Sequence, residues 1–247
     1  MARFKTINNI VNQVAVEVGI PKAENIFASA DPAMEQFIYL SNSAGYELLQ
    51  NEAWQGLVRE HAITTQAGDS GDYPLPSDFA YMLNQTGWDR TNNVPLLGPI
   101  SAQQWQYLEG RDLVSQTIYA SFREREGLFS LFPQPPPVGL SIHFEYTSRN
   151  WVNSKGLQDP AVYADAVTDS SDVVLYEPIL FERLLKVRFL EARGFDTTAA
   201  IAALETAFIS WAGKDKGAPI LSAGGSRRGF PYLDNFNNVP DTKYGSF

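Results

Sequence analysis

The spacing of apolar residues changes twice along this chain, and this change limits the folds that it can adopt. Near the N-terminus, apolar residues recur every three or four positions, as on one face of a helix; the first series is Ile7, Ile10, Val11, Val14 and Val18. A second series runs from Met34 to about Trp54, after an Asp31-Pro32 pair typical of a helix start. The pattern predicts two amphipathic helices, each of which must pack on another element.

The middle of the chain, residues 57–175, has the pattern of short strands. Turn-forming residues recur quickly, and the runs between them are rich in β-branched and aromatic side chains. Residues 117–122 and 128–132 flank Glu126-Gly127, which predicts a hairpin, and residues 140–146 alternate apolar and polar side chains. Residues 101–108 predict one short helix. We therefore expect residues 57–175 to form a small mixed, mainly antiparallel β domain.

Helical spacing returns after residue 176. One series, ended by Gly194, contains Leu180, Phe181, Leu184 and Val187, and a second contains Ile201, Leu204, Phe208 and Trp211. The predicted fold class is α+β: a four-helix bundle with an inserted β domain and an extended C-terminal arm. Its predicted parts are N-terminal helices in 1–56, the β domain in 57–175, C-terminal helices in 176–212 and the arm in 213–247.

Composition excludes several classes of protein. The chain has 19 basic and 28 acidic side chains, a net charge of −9, which argues against a protein built to grip phosphate backbones. The absence of cysteine excludes disulfides, thiolate metal sites and cysteine nucleophiles. No run approaches 18 uninterrupted apolar residues, so we expect no membrane partner.

The predicted arm differs in charge from the rest of the chain. It carries five basic and three acidic side chains, and it is rich in glycine and proline. Its aromatic rings cannot form a core alone, so we expect the arm to dock on a partner. The docking residues would be Arg227, Arg228, Phe230, Tyr232, Phe236, Tyr244 and Phe247.

Candidate catalytic and metal-binding patterns are weak. The tetrapeptide Gly68-Asp69-Ser70-Gly71 matches the surroundings of a serine-protease nucleophile, but the two histidines, His61 and His143, do not have the order of that fold. A tight turn explains it better. An acidic stretch with Asp165, Asp169 and Asp172 lacks the glycine and closing glutamate of a calcium loop. We therefore expect no catalytic residue, no cofactor and no metal.

Two alternatives stay open at this stage. Any two of the 28 carboxylates could act in glycoside hydrolysis, and Trp88, Trp105 and Trp151 could stack on sugars. The chain could thus be a cell-wall-degrading glycoside hydrolase or a carbohydrate-binding component. The alternating charges of Arg123, Glu124, Arg125 and Glu126 indicate either a solvated strand edge or an inter-subunit contact.

A series of segments resembles a family of bacteriophage virion proteins. The segments are YPLPSDF at 73–79, WDR at 88–90, PLLGP at 95–99, SAQQW at 101–105, FEYTSRNW at 144–151 and GAPIL at 217–221. They resemble, in order, the head-to-tail adaptor proteins of short-tailed phages, the tail tubular protein A group, over roughly residues 1–225.

This resemblance implies a structural protein without enzyme activity. It implies a homo-oligomeric ring, typically of twelve copies, beneath the portal protein and above the tail nozzle protein, assembled in the host cytoplasm and located at the virion neck. Tail fibres are a further candidate partner. Double-stranded DNA would pass through the ring without sequence-specific binding, and an acidic lining would favour passage because it repels phosphates.

Overall fold

The structure, a computed structural model, describes residues 4–110, 121–154 and 161–215. Within these ranges the α-helices are α1 (Ile7–Glu17), α2 (Pro32–Asn51), α3 (Ala102–Gly110), α4 (Pro178–Arg193) and α5 (Thr198–Asp215). The strands are β1 (Val58–Thr64), β2 (Asp72–Pro74), β3 (Phe79–Met82), β4 (Trp88–Asp89), β5 (Val94–Pro95), β6 (Ser121–Arg125), β7 (Leu128–Phe132), β8 (Ser141–Ser148), β9 (Val152–Asn153), β10 (Tyr163–Ala164) and β11 (Val173–Val174).

Helix α4 is the centre of the helical part. Helices α1, α2 and α5 all pack against it. Its buried side chains lie around most of its circumference, which is typical of a helix enclosed by others; they are Pro178, Leu180, Phe181, Glu182, Leu184, Leu185, Val187 and Phe189. The α+β class and the helical segments are confirmed, whereas the arrangement as a four-helix bundle stays a prediction.

The ends of the helices follow local chemistry. The Asp31 carboxylate caps α2 by accepting a 2.9 Å hydrogen bond from the Ala33 backbone N–H, with Pro32 in the first turn. Helix α2 ends at Asn51, three residues earlier than expected, because the backbone of Glu52 is extended. The indole of Trp54 instead folds back and donates a 2.8 Å hydrogen bond to the Leu48 carbonyl.

The end of helix α5 lies inside the range predicted for the extended arm. Helix α5 continues through residues 213–215, so these three residues are helical. The Asp215 carboxylate accepts a 2.7 Å hydrogen bond from the Gln55 backbone N–H, and the Lys214 ammonium lies 4.2 Å from the Trp211 ring centre. The Asp215–Gln55 hydrogen bond ties the end of α5 to the segment just before β1.

In the described ranges the β region contains three small sheets, and every pairing between named strands is antiparallel. Strand β8 is the middle of the largest sheet, with β1 on one side and β3 and β4 on the other. Its Ile142, Phe144 and Tyr146 are buried, which confirms the predicted alternation. The predicted hairpin around Glu126-Gly127 is confirmed: β7 matches the predicted residues 128–132, and the turn places Glu126 and Gly127 at positive φ. Its other strand, β6, covers Ser121–Arg125 instead of the predicted 117–122, of which residues 117–120 lie outside the described residues.

The described residues form two hydrophobic cores. One lies in the β region and includes a stack of Phe122, Phe129 and Phe144, whose neighbouring ring centres are 4.9 and 5.0 Å apart. The other joins the helices to Trp151 and Tyr176, two fully buried rings that follow the largest sheet in the chain. The predicted domain boundaries stay predictions, but the segment around Trp151 packs with the helices. Across the described ranges, no helix combines the length and apolar character needed to span a membrane.

Candidate assembly surfaces

The hairpin residues singled out in the sequence lie on a sheet edge. Strand β6 is the outer strand of a three-stranded sheet, and no described strand pairs with its outer side beyond Phe122. Arg123 and Glu124 are half-buried, and burial raises the pKa of the Glu124 carboxyl. Arg125 and Glu126 are exposed, with 3.7 Å between the Arg125 Nε and a Glu126 carboxylate oxygen. A charged, unpaired edge of this kind can prevent unwanted pairing with another chain or favour pairing with one specific chain.

The predicted docking residues of the arm lie outside the described residues; they are Arg227, Arg228, Phe230, Tyr232, Phe236, Tyr244 and Phe247.

A polar cavity of about 490 Å³ lies on the outward face of the largest sheet. Glu60 on β1 lies directly opposite Glu145 on β8, so two like charges face the same cavity. Such a pair destabilises a sheet unless it is compensated. Arg90 forms an ion pair with Glu60, and the His143 Nδ1 lies 2.8 Å from the same carboxylate oxygen.

Ser141 extends this network into a serine–histidine–glutamate series. Its Oγ lies 2.9 Å from the Nε2 of His143. Sequence reasoning missed the arrangement because Glu60 is 83 positions from His143, and only the antiparallel pairing of β1 and β8 brings them together.

The geometry does not support acyl transfer by Ser141. A nucleophile must face the bound substrate, and Ser141 does not line the cavity. Its backbone N–H already donates a 2.8 Å hydrogen bond to the Thr91 hydroxyl, and Glu60 is shared between Arg90 and His143. The network therefore compensates the facing carboxylates.

The protease-like tetrapeptide, residues 68–71, overlaps a turn at residues 66–69, close to the predicted position. The Asp69 carboxylate accepts hydrogen bonds from the Gln66 backbone N–H and the Tyr73 hydroxyl, at 2.7 and 2.9 Å. The Ser70 hydroxyl accepts one from the Asp72 backbone N–H. His61 packs 5.4 Å from the Phe144 ring, and burial lowers its pKa. None of these contacts pairs Ser70 with a histidine.

The acidic loop is also used structurally. An Asp172 carboxylate oxygen accepts hydrogen bonds from the backbone N–H groups of Thr168 and Asp169, at 2.7 and 2.9 Å. Asp165 forms an ion pair with Arg149. Throughout the part of the chain that the structure describes, no cluster of three or more histidines and carboxylates could hold a metal ion.

Two of the three tryptophans considered for sugar stacking are unavailable to a ligand. Trp151 is fully buried, and Trp105 is buried beside Phe132. Trp88 alone of the three lines the polar cavity.

A model of one protein family matches nearly the whole described fold. The SU10 adaptor protein model covers residues 5–215, from just before α1 to the last residue of α5. The chain belongs to the SU10 adaptor protein family. As an SU10 adaptor family member it is a structural, non-enzymatic phage protein with a head-to-tail adaptor role, and it is assigned to the virion neck. No curated protein matches the chain.

Proposed function

We propose that this protein forms a ring, of twelve copies, that joins the portal protein to the tail nozzle protein and lets the genome pass. We further propose that it is an adaptor of the tail tubular protein A type. The observation that carries the proposal is the family match over residues 5–215, because it includes both hydrophobic cores and all the described helices.

The charge of the chain suits a ring around DNA. A net charge of −9 repels the phosphate backbone, so DNA would move through the ring without adhering to it. We propose that the ring is assembled in the host cytoplasm and that tail fibres are a further partner.

Lateral contacts in a ring join two different surfaces of each copy. We propose that the outer edge of β6, with Arg123, Glu124, Arg125 and Glu126, contributes to one of these surfaces. Its supporting observation is the alternating charge on an edge that no described strand covers.

The segment after α5 is our candidate for attaching the ring to the portal along the ring axis. We propose that residues 216–247 dock on the portal, with Arg227 and Arg228 on acidic surface and the aromatic rings in pockets. Each arm would bind weakly, and twelve linked arms would bind firmly.

Cryo-electron microscopy of purified portal mixed with the full-length protein tests this function. We expect a ring of twelve copies at one end of the portal. A chain truncated after Asp215 should keep its helical circular dichroism signal and lose stable attachment. Portal particles that stay bare with the full-length protein would contradict the adaptor role, and undiminished attachment of the truncated chain would contradict the role of the arm.

We expect no catalytic role for the serine–histidine–glutamate network. Ser141→Ala and His143→Ala should leave attachment to the portal near normal, as should Ser70→Ala and His61→Ala. A cell-wall turbidity assay provides the check. If the unchanged protein lyses cell walls and one of these variants does not, the glycoside hydrolase alternative is restored.

A further inference from the structure

Helix α5 is incompletely covered by the rest of the described chain. Of its 18 residues, Ala207 is the buried one. Ile201, Leu204, Phe208 and Trp211 form an apolar stripe, but all four are only partly buried. Helix α4, by contrast, has eight buried side chains. An apolar stripe left half-covered on a helix of this length marks a surface that another segment can occupy.

The half-covered stripe borders a groove of about 410 Å³. Helices α2 and α5 each pack on α4, and the groove is the gap between them. Its floor contains the buried side chains of Leu48 and Leu184, and its α5 wall contains Leu204, Phe208 and Ile209. Ile209 is 74% exposed, the largest fraction among the exposed large apolar side chains of the described residues.

The rim of the groove is acidic. Glu47 on α2 is paired with Arg188, whose Nε lies 2.8 Å from its carboxylate. Glu205 on α5 is exposed and forms no ion pair with any residue in the described ranges. A basic segment with aromatic side chains would complement both the rim and the floor.

The chain itself carries such a segment directly after α5. Residues 216–247 contain Arg227 and Arg228, closely followed by Phe230 and Tyr232. Phe208 in the groove is seven residues before the end of α5, about 10 Å along a helix. The 15 residues from Asp215 to Phe230 can extend to about 50 Å, which is ample to return to the groove.

We propose that the groove between α2 and α5 is a docking site for residues 227–232 of the same chain. The aromatic rings of Phe230 and Tyr232 would cover the apolar floor, and the two arginines would meet Glu205. The chain's own segment is favoured over that of a second copy because its connection to α5 gives it a high effective concentration. The inference goes beyond the adaptor function, since it needs neither ring nor portal. Portal binding by the arm would then compete with this groove.

Disulfide trapping in the full-length protein tests the proposal, because the natural chain contains no cysteine. The test pair is Asn51→Cys, on the groove side of α2, with Gly229→Cys, which leaves the proposed anchors intact. The control pair is Tyr39→Cys with Gly229→Cys, since Tyr39 is also on α2, is 69% exposed and does not line the groove. Under mild oxidation without portal, we expect the test pair to form an intramolecular disulfide at least about fivefold faster.

Adding Ile209→Asp to the test pair should remove this advantage, because a charge would replace the exposed apolar wall. Ile209 is exposed, so the change should leave the helical signal intact. Equal rates for the test and control pairs would overturn the proposal. Mainly intermolecular disulfides would overturn it in favour of a second copy as the occupant. Neither result depends on ring formation on the portal, so failure of this inference is distinguishable from failure of the adaptor function.

Discussion

Gly45 shows how one residue fixes the packing of α2 on the segment after β8. A Cβ atom built on Gly45 would lie 2.3 Å from the fully buried Trp151 ring. The Tyr176 hydroxyl donates a 2.8 Å hydrogen bond to the Gly45 carbonyl, so the backbone is held from a second direction. The absence of a side chain at this position is therefore what lets the tryptophan ring lie against the helix.

Gly45→Ala is expected to destabilise the protein. Alanine gains up to about 1 kcal/mol over glycine inside a helix, but overpacking a core costs about 1–3 kcal/mol. A 2.3 Å approach to a buried ring puts this site at the upper end of that cost, so the clash decides the sign. Urea unfolding measures the change. Gly213→Ala in α5, where an added Cβ meets nothing within 4 Å, is the matched control and should be neutral or stabilising.

Asp78 makes the stability of the β region depend on pH. Burial raises the pKa of its carboxyl, but hydrogen bonds from Ser148 and Tyr146 and the charge of Arg59 outweigh burial, so the net pKa is lowered. The Ser148 and Tyr146 bonds are 2.7 and 3.0 Å long. A carboxyl whose pKa is lower in the folded state stabilises the fold at pH values above the ordinary pKa of Asp. This contribution is lost as the pH falls through the folded-state pKa.

Asp78→Asn should lower the free energy of unfolding by about 1–2 kcal/mol at neutral pH, since hydrogen bonds to a charged acceptor are replaced by neutral ones. The difference between the variant and the natural protein should shrink below about pH 4. Thermal unfolding across this pH range provides the measurement. A difference that stays constant down to about pH 2 would show that the charge of Asp78 is not the source of the effect.

At the scale of elements, a double substitution on β6 can distinguish the two interpretations of its alternating charges, an inter-subunit contact and a solvated edge. If the edge is an inter-subunit contact, the double change Arg123→Glu and Arg125→Glu should reduce ring formation on portal at least about tenfold, because like charges would then face the neighbouring copy. Its unfolding free energy should change little, since Arg125 is exposed and Arg123 half-buried. Lys22→Glu, at an exposed position outside the hairpin, is the control. Normal ring formation by the double variant would favour the solvated edge.

Elements with a local signal were predictable from the sequence, and those that depend on distant pairing were not. The stripe from Ile7 to Val18 and the Asp31-Pro32 start each contain their own helix signal, and both were confirmed. The early end of α2 depends on Trp54 folding back on Leu48, which no spacing reveals. The Glu60–His143 network depends on the register of β1 with β8, and the groove on how α2 and α5 flank α4.

At the scale of the whole molecule, we expect the isolated protein to be mainly monomeric and the portal-bound form to be twelvefold. Heterologous contacts close only in a complete ring, so they would form on a template. Native mass spectrometry of the protein with and without portal checks both statements. A stable closed dimer in both samples would contradict them.

The central position of α4 has a consequence for the order in which the protein can fold during synthesis. Helices α1 and α2 find their main packing partner in a helix that starts at residue 178, whereas α2 ends at residue 51. At about 5–20 residues per second, a ribosome needs on the order of 6–25 seconds to make the roughly 125 residues between them. During that interval the apolar faces of the two N-terminal helices stay without α4. The nascent chain is therefore exposed to aggregation and chaperone binding for most of its translation, and its helical core can close only near the end.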